Sequence, residues 1–219
     1  MPERELDKRV IIFAGHYGSG KTTVAVNYAI RLSYSREVVL CDLDIVNPYF
    51  KSADHSGLLS GFGIGLITSN FANTSLDAPS MPSEMNGVFD GDKTAVIDLG
   101  GDDRGSVALG RYAAPIAKAG YEMLLVTNPY RPLTGDAESL VAAAREIEEA
   151  AGLKLTGLCH NPNLGANTSR EDVDAAMGRF ANVPSMLGLP VFMTAVRRGI
   201  CAKGEFPLDI YTKDIWNIF

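Results

Sequence analysis

The segment GHYGSGKT, residues 15–22, lies between the apolar run VIIFAG and the helix-patterned stretch TVAVNYAIRLS. It matches the pattern G-x-x-x-x-G-K-[ST] in full, with a strand expected before it and a helix expected after it. Glycines allow consecutive backbone N–H groups to turn inward as an anion-binding nest, to which the helix N-terminus adds its positive end. The sequence therefore predicts a phosphate-binding loop in a strand–loop–helix unit, rather than a glycine turn without a ligand.

We expect the side chains of this loop to have roles of their own, distinct from that of its backbone. Lys21 is expected to reach the β- and γ-phosphates of a nucleotide, and the Thr22 hydroxyl is expected to ligate Mg²⁺. A dinucleotide fingerprint is excluded, because the third glycine position of that motif is occupied by Thr23. The predicted nucleotide contacts are Gly15, Gly18, Ser19, Gly20, Lys21, Thr22 and Thr23.

Short apolar runs alternate with longer helical patterns along the rest of the chain. The runs are continuous rather than alternately polar, which is typical of a parallel sheet covered by helices on both faces. They predict the strands Val10–Ala14, Val38–Leu43, Ile64–Thr68, Thr94–Leu99, Met123–Thr127, Leu155–His160 and Val191–Thr194. We therefore predict one α/β domain over residues 1–219, with a doubly wound, mostly parallel sheet between two helical layers.

Three helices have sequence signals at their ends. The first is predicted from about Thr22 to Leu32, directly after the glycine-rich loop. A second has small and apolar residues at helical spacing over residues 140–151 and is expected to end at Gly152. A third is predicted to open with a capping box formed by Thr168 and Glu171.

Acidic side chains occur at the ends of two predicted strands. The segment VVLCDLDIVNP supplies Asp42 and Asp44, and TAVIDLGGDD supplies Asp98. Open α/β sheets bind ligands beyond the carboxyl ends of their strands, and a phosphate site needs carboxylates to hold Mg²⁺ and to orient an attacking water. Asp also caps helices and turns, so the functional interpretation requires these strands to lie beside the glycine-rich loop.

Four segments within residues 9–165 resemble the MinD/ParA-like branch of P-loop ATPases, which also includes metallocentre-insertion ATPases and the tail-anchored-protein targeting ATPase. These segments are GHYGSGKTT, VVLCDLDIVNPYF, AVIDLGG and LLVTNPYRPLTGDAESL. The chain is also similar to a bacterial subfamily with GH(Y/F)GSGKT, DLDIVNPYF and NPNLG segments. The resemblance implies a P-loop NTPase fold that binds ATP with Mg²⁺ and hydrolyses it slowly to ADP and phosphate.

The resemblance also assigns roles to the acidic residues. Asp44 matches the aspartate that positions the hydrolytic water, so Lys21 and Asp44 are the expected catalytic residues. Asp42 matches an acid near the Mg²⁺ shell, and Asp98 matches an aspartate that contacts Mg²⁺ through water. Together with Thr22, these two are the expected metal-site residues.

The base-binding residue is less sharply defined. By resemblance, Asn161 matches an asparagine that reads the edge of adenine. Asn163 is a close competitor, and a turn formed by the whole NPN segment is an equal alternative. No N-K-x-D guanine motif occurs in the sequence, which favours ATP over GTP.

His16 departs from the family pattern. Many relatives carry a second lysine there, which reaches the γ-phosphate of the opposite subunit in an ATP-sandwiched dimer. Histidine is shorter and lacks a permanent charge. Either another cation substitutes, or hydrolysis is slow, or the dimer is arranged differently, and packing within the loop is the plain role for His16. The candidate cations are Arg104, Arg111 and Arg131.

Composition indicates the environment and the partners. The net charge of −6 and the pI near 5.1 disfavour nonspecific binding to nucleic acid or acidic lipid. No apolar run reaches the ~20 residues of a membrane helix, and the stretch FPLDIYTKDIWNIF lacks the basic face of a membrane-binding helix. Cys41, Cys159 and Cys201 form no CxxC motif, which disfavours a shared cysteine metal site and is typical of reduced thiols in the cytoplasm.

These features lead to three functional hypotheses. The first is an ATP-driven switch that acts on an unidentified client protein and forms a homodimer. The second is an enzyme of the dethiobiotin-synthetase or cobyrinate-amidation kind, which passes the phosphoryl group to a small acceptor or drives a ligation. In it, the irregular segment Phe71–Asp92 would form the acceptor pocket. The third is a nucleotide-binding module without useful catalysis.

Overall fold

The computed structural model describes residues 6–44, 55–68, 84–100, 103–131 and 135–211, without the side chains of residues 86, 103 and 104. The strands are β1 Val10–Gly15, β2 Val38–Leu43, β3 Gly65–Thr68, β4 Thr94–Gly100, β5 Tyr121–Thr127, β6 Gly157–His160, β7 Val191–Arg197 and β8 Phe206–Leu208. The helices are α1 Lys21–Ser33, α2 Ser56–Gly61, α3 Glu84–Asp90, α4 Asp103–Gly110, α5 Ala113–Ala119, α6 Ala137–Ala151, α7 Arg170–Arg179 and α8 Val183–Leu187. Each predicted strand has its counterpart here.

The eight strands form one sheet in the order β3-β2-β4-β1-β5-β6-β7-β8, and every pairing in it is parallel. Strand β1 lies inside the sheet between β4 and β5. From β1 the chain goes first to β2 and β3, returns to β4, and then crosses to β5 on the other side. The loop after β1 is therefore at a topological switch point, the place where sheets of this type bind ligands.

Both faces of the sheet are covered by helices, as the continuous apolar strands predicted. Ile11 and Phe13 of β1 pack with the buried face of α1, while Ile12 and Ala14 pack on the opposite side with residues of α4, α5 and α6. Alternate residues of one strand thus enter two separate cores. The doubly wound, three-layer prediction is confirmed.

Helix α6 follows its sequence signals, but α7 corrects one of them. Gly152 ends α6 in the left-handed conformation, with φ 62°. The capping box of α7 is formed by Ser169 and Asp172, one residue later than the predicted pair Thr168 and Glu171. The physical reason is that the Thr168 hydroxyl is already used within the preceding turn, where it accepts from the Leu164 N–H at 2.9 Å and donates to the Gly165 carbonyl at 2.7 Å.

Two further features complete the fold. Part of the segment Phe71–Asp92 forms α3, and its residues 71–83 lie outside the described ranges. The last strand leads to a contact with the first helix, where Asn27 donates to the Asp209 carbonyl at 2.9 Å and accepts from the Asp209 N–H at 2.8 Å. Among the described residues, no helix combines the length and the apolar character needed to cross a membrane.

Candidate functional site

The glycine-rich loop joins β1 to α1 in a tight, left-handed path. Gly18 and Gly20 have φ angles of 83° and 84°, values that side chains other than glycine rarely adopt. The Ser19 N–H donates to the His16 carbonyl at 3.1 Å, and Lys21 is already the first residue of α1. The loop thus runs from β1 directly into the N-terminus of α1, which is the strand–loop–helix arrangement that the motif predicts.

The neighbouring strands bring the predicted acidic residues to this loop. In the register of β2 and β4, Asp42 lies opposite Asp98. Asp44 follows directly after β2, and its backbone N–H donates to Asp42 Oδ1 at 3.1 Å. Lys21 Nζ contacts Asp44 Oδ2, and the side chains of both residues are buried. The structure therefore gathers Lys21, Asp42, Asp44 and Asp98 into one buried cluster.

The pKa values in this cluster depend on burial and on the attraction between the Lys21 ammonium group and the carboxylates. Burial alone would lower the pKa of Lys21, but the nearby carboxylates of Asp98, Asp44 and Asp42 outweigh burial and raise it. Burial raises the pKa of Asp98 to about 7, an effect that Lys21 opposes and Asp42 reinforces. Lys21 therefore remains a cation, while Asp98 exchanges its proton near neutral pH.

Several polar atoms at the loop are buried without a hydrogen-bond partner among the described residues. They are both carboxylate oxygens of Asp98, the Ser19 hydroxyl and the amide oxygen of Asn161. The Thr22 hydroxyl is near enough to lower the pKa of Asp98 somewhat, but no hydrogen bond of normal geometry joins the two. Buried polar groups normally have partners, so this set fits a bound polar ligand.

The same donor set fits Mg²⁺ bound together with a polyphosphate. Within the described ranges, no group of three or more His, Cys, Asp or Glu side chains could hold a metal by itself. Magnesium at phosphate sites needs only one or two protein oxygens, because phosphates and waters complete its octahedron. Thr22 and Asp98 are the oxygen donors beside the loop, and Asp42 is the neighbour of Asp98 across the strands.

Residues that follow β5 and β6 donate hydrogen bonds to carbonyl groups of the glycine-rich loop. Asn161 follows β6, and its Nδ2 donates to the Ser19 carbonyl at 2.7 Å. A Cβ at Gly20 would lie 2.1 Å from the same nitrogen, so the two residues are in close contact. Asn163 lies two residues later and stabilises the turn there. Its side-chain oxygen accepts from the Thr168 hydroxyl, and its backbone carbonyl and N–H form hydrogen bonds with the Asn128 side chain.

The cationic candidates have different positions. Arg131 Nε donates to the Gly18 carbonyl at 2.8 Å, which places a guanidinium directly on the loop. Arg111 is exposed after α4, and the side chain of Arg104 lies outside the described part of the chain. His16 is half-buried within the loop, and Thr23 is the third residue of α1, where its carbonyl accepts from Asn27.

Sequence reasoning missed two polar residues beside this site. Asn128, buried after β5, holds the loop of Asn163 through the bonds given above. His160, at the end of β6, has a ring nitrogen 2.8 Å from the Thr127 hydroxyl, and burial lowers its pKa to about 4. Asn128 lies in the segment LLVTNPYRPLTGDAESL and His160 ends a predicted strand, but their contacts depend on the pairing of β5 and β6, which no local pattern reveals.

A cavity of about 770 Å³ lies at the other edge of the sheet. Its lining includes Thr94 at the start of β4 and Glu84 and Val88 of α3. Thr94 is four residues before Asp98 on one extended strand, which separates the two by about 13 Å. Another lining residue, Ile67, pairs with Cys41 directly before Asp42, so the cavity reaches nearer to the acidic strand ends than Thr94 does.

A scan against protein-family models finds no matching family, and a search among curated proteins finds no match. Solved structures do match. FtsY, the signal recognition particle receptor of Elizabethkingia anophelis, is 22% identical with a TM-score of 0.52, over 93% of this chain and 62% of FtsY. FtsY of Thermotoga maritima is 19% identical with a TM-score of 0.55, over 95% of this chain and 67% of that protein.

A further structure of the Elizabethkingia protein is a complex with GDP, 21% identical with a TM-score of 0.53, over 90% of this chain and 60% of FtsY. The present chain thus spans about three fifths to two thirds of the length of these FtsY chains. At this level of sequence identity, the similarity shows a shared fold alone. The chain shares the α/β fold of FtsY, with its parallel eight-stranded sheet and flanking helices.

Proposed function

We propose that this protein is a Mg²⁺-dependent, ATP-binding molecular switch of the MinD/ParA-like kind. The observation that carries the proposal is the buried cluster of Lys21 with Asp42, Asp44 and Asp98 beside a glycine-rich loop at a topological switch point. A buried Asp98 whose two oxygens have no partner among the described residues costs folding free energy, so a ligand-binding role accounts for it better than a structural one.

In this proposal the loop backbone holds the phosphates. Donors from Gly15, Gly18, Ser19 and Gly20 surround the phosphate chain, and Thr22 and Thr23 extend them into the first turn of α1. Lys21 leaves Asp44 and binds phosphate oxygens. Bound Mg²⁺ supplies positive charge against the phosphates, with Thr22, Asp42 and Asp98 as its side-chain surroundings.

Hydrolysis then depends on Asp44. Once Lys21 has moved to phosphate, the Asp44 carboxylate is free to accept a proton from water and to orient its oxygen toward the terminal phosphorus. Lys21 stabilises the charge that develops on the phosphoryl oxygens. Slow turnover suits a switch, because the triphosphate-bound state must last long enough to bind a client protein.

ATP is the proposed nucleotide because of Asn161. Its amide oxygen is buried without a partner among the described residues, and the exocyclic amino group of adenine would supply the missing donor. Guanine presents a carbonyl oxygen at that position. The complex of FtsY with GDP makes a guanine nucleotide the competitor to test. A homodimer in the ATP-bound state and a client protein complete the proposal, without nucleic acid or membrane as partner and with the cytoplasm as its location.

The deciding experiment is calorimetric titration of the protein with Mg·ATP and Mg·GTP, with Lys21→Ala as the negative control. We expect micromolar binding of ATP, at least tenfold weaker binding of GTP, no binding by Lys21→Ala, and slow release of phosphate by the wild type. Absence of binding by the wild type at millimolar ATP would overturn the proposal. Turnover that appears only when a small acceptor is added would replace the switch with the phosphoryl-transfer or ligase-type enzyme.

A further inference from the structure

Arg131 is fixed on the glycine-rich loop by its own side chain. Its Nε donates to the Gly18 carbonyl at 2.8 Å. Its Cδ and Nε lie 3.2 Å from the point that a Cβ at Gly18 would occupy, so the guanidinium group takes the space left by the absent side chain. Within the described part of the chain, no carboxylate pairs with Arg131 and its terminal amino groups bond to no acceptor.

The backbone that carries Arg131 is held in a compact turn after β5. The Arg131 N–H donates to the Asn128 carbonyl at 3.1 Å, and the Asn128 side chain accepts from the Tyr130 N–H at 3.1 Å. Asn128 is itself buried and donates to the Asn163 carbonyl at 2.9 Å, while the Tyr130 hydroxyl donates to the Asp172 carbonyl at 2.6 Å. The position of Arg131 is therefore set before any ligand binds.

The charges at the loop favour a second cation from the protein. One ammonium group, from Lys21, faces the carboxylates of Asp42, Asp44 and Asp98. With one ammonium group against three carboxyl groups, the buried cluster is negative overall whether or not Asp98 is ionised, and a triphosphate adds further negative charge. A guanidinium keeps its charge at every physiological pH and presents a planar fork of N–H donors that matches phosphate oxygens.

We propose that Arg131 binds the phosphate chain of the nucleotide from within the same chain, as a second fixed cation beside Lys21. The inference rests on the proposed nucleotide-binding function and adds a residue to it. The Nε bond to Gly18 orients the guanidinium, and its terminal amino groups supply the donors to phosphate. His16, the neighbouring candidate, offers no permanent charge, whereas Arg131 does.

The test measures binding rather than turnover, with Mg·ATP and with inorganic tripolyphosphate plus Mg²⁺, a probe that has no base or ribose. We expect Arg131→Gln to weaken both ligands at least tenfold and Arg131→Lys to weaken them less. The matched control is Arg145→Gln, which removes the same charge from an exposed position of α6 and should change either affinity less than twofold. Thermal unfolding without ligand should be the same for Arg131→Gln and the wild type.

Three outcomes would overturn the inference. Unchanged affinity of Arg131→Gln for both ligands would mean that Arg131 only braces the loop. Weaker binding of ATP with normal binding of tripolyphosphate would mean that Arg131 contacts the base or the ribose. Failure of the wild type to bind either ligand would refute the proposed function itself, which distinguishes that failure from failure of the Arg131 assignment alone.

Discussion

Asp42 and Asp98 are direct neighbours across β2 and β4, and both side chains are buried beside Lys21. Two carboxylates in one low-dielectric region cannot both ionise without cost, and one ammonium group compensates only part of that cost. Burial, reinforced by Asp42, accordingly raises the pKa of Asp98 to about 7. The ionised form of this pair therefore lowers the stability of the folded state.

Asp98→Asn should stabilise the protein in the absence of nucleotide at alkaline pH. The pKa of Asp98 is raised from 3.8 to about 7, so between these values the folded state binds more protons than the unfolded state and stability falls as pH rises. At about 1.4 kcal/mol per pKa unit, the cost approaches about 4 kcal/mol above pH 7. Since the new amide would also lack partners, we expect a gain of about 2 kcal/mol at pH 8.

Urea unfolding at pH 5, 6, 7 and 8 measures this effect. The difference between Asp98→Asn and the wild type should shrink toward pH 5, where the wild-type carboxyl is already neutral. Asp90→Asn removes the same charge from an exposed position of α3 and should show no such trend. A variant that is less stable than the wild type at pH 8 would contradict the assigned burial cost.

Asp44→Ala should separate binding from hydrolysis. The substitution removes a carboxylate from the phosphate side of the site and releases Lys21 from its contact, so ATP should bind as tightly as before or a few times more tightly. Hydrolysis should fall about 100-fold, the typical loss when a positioned base is removed. Calorimetry and phosphate-release assays check the two parts, with the exposed Asp92→Ala as control. Turnover at the wild-type rate would mean that another group orients the water.

Gly20→Ala should be strongly destabilising. The residue has φ 84°, and the new methyl group would lie 2.1 Å from Asn161 Nδ2. We expect a loss of about 3 kcal/mol, combining backbone strain with displacement of Asn161 from the Ser19 carbonyl. Gly178→Ala is the matched control, because Gly178 is exposed in α7 with nothing near its Cβ position. That variant should gain about 0.5–1 kcal/mol in chemical denaturation. Similar losses for both would refute the close packing at Gly20.

Ser169→Ala and Glu171→Ala should distinguish the two registers of the capping box on α7. Ser169 accepts from the Asp172 N–H, and the Asp172 side chain accepts from the Ser169 N–H at 2.8 Å. Removal of the Ser169 hydroxyl should cost about 1 kcal/mol. Glu171 is exposed and should cost less than about 0.5 kcal/mol on replacement. A larger loss for Glu171→Ala in urea unfolding would favour the register predicted from sequence.

The layered fold could be read from sequence because its signals are local. Apolar runs mark strands buried on both faces, and the glycine pattern marks the loop between β1 and α1. Strand β8 had no such signal, since it has three residues and one of them is Pro207. The capping box was misplaced because TSRED satisfies the pattern in two registers, and the choice depends on the turn that engages Thr168.

The candidate site likewise contains residues that local sequence signals predict and contacts that these signals do not predict. Lys21, Thr22 and the strand-end aspartates follow from motif and position, and the sheet order brings them together. The contacts of Arg131 and Asn161 with the loop carbonyls depend on how β5 and β6 are placed beside β1. Such contacts join residues more than 100 positions apart, and no spacing in the sequence encodes them.

Two hydrogen bonds join the side chain of Asn27 to the backbone of Asp209 and so connect the first helix to the end of the last strand. Asn27 lies two turns into the helix that starts at Lys21, and Asp209 follows directly on the outermost strand. Three strands lie between β1 and β8 in the sheet, yet the Asn27 hydrogen bonds join α1 directly to the end of β8, so a shift of α1 on ligand binding would displace that edge. The edge strand β8 is therefore hydrogen-bonded to the same helix that begins at the glycine-rich loop, so the two move as one unit.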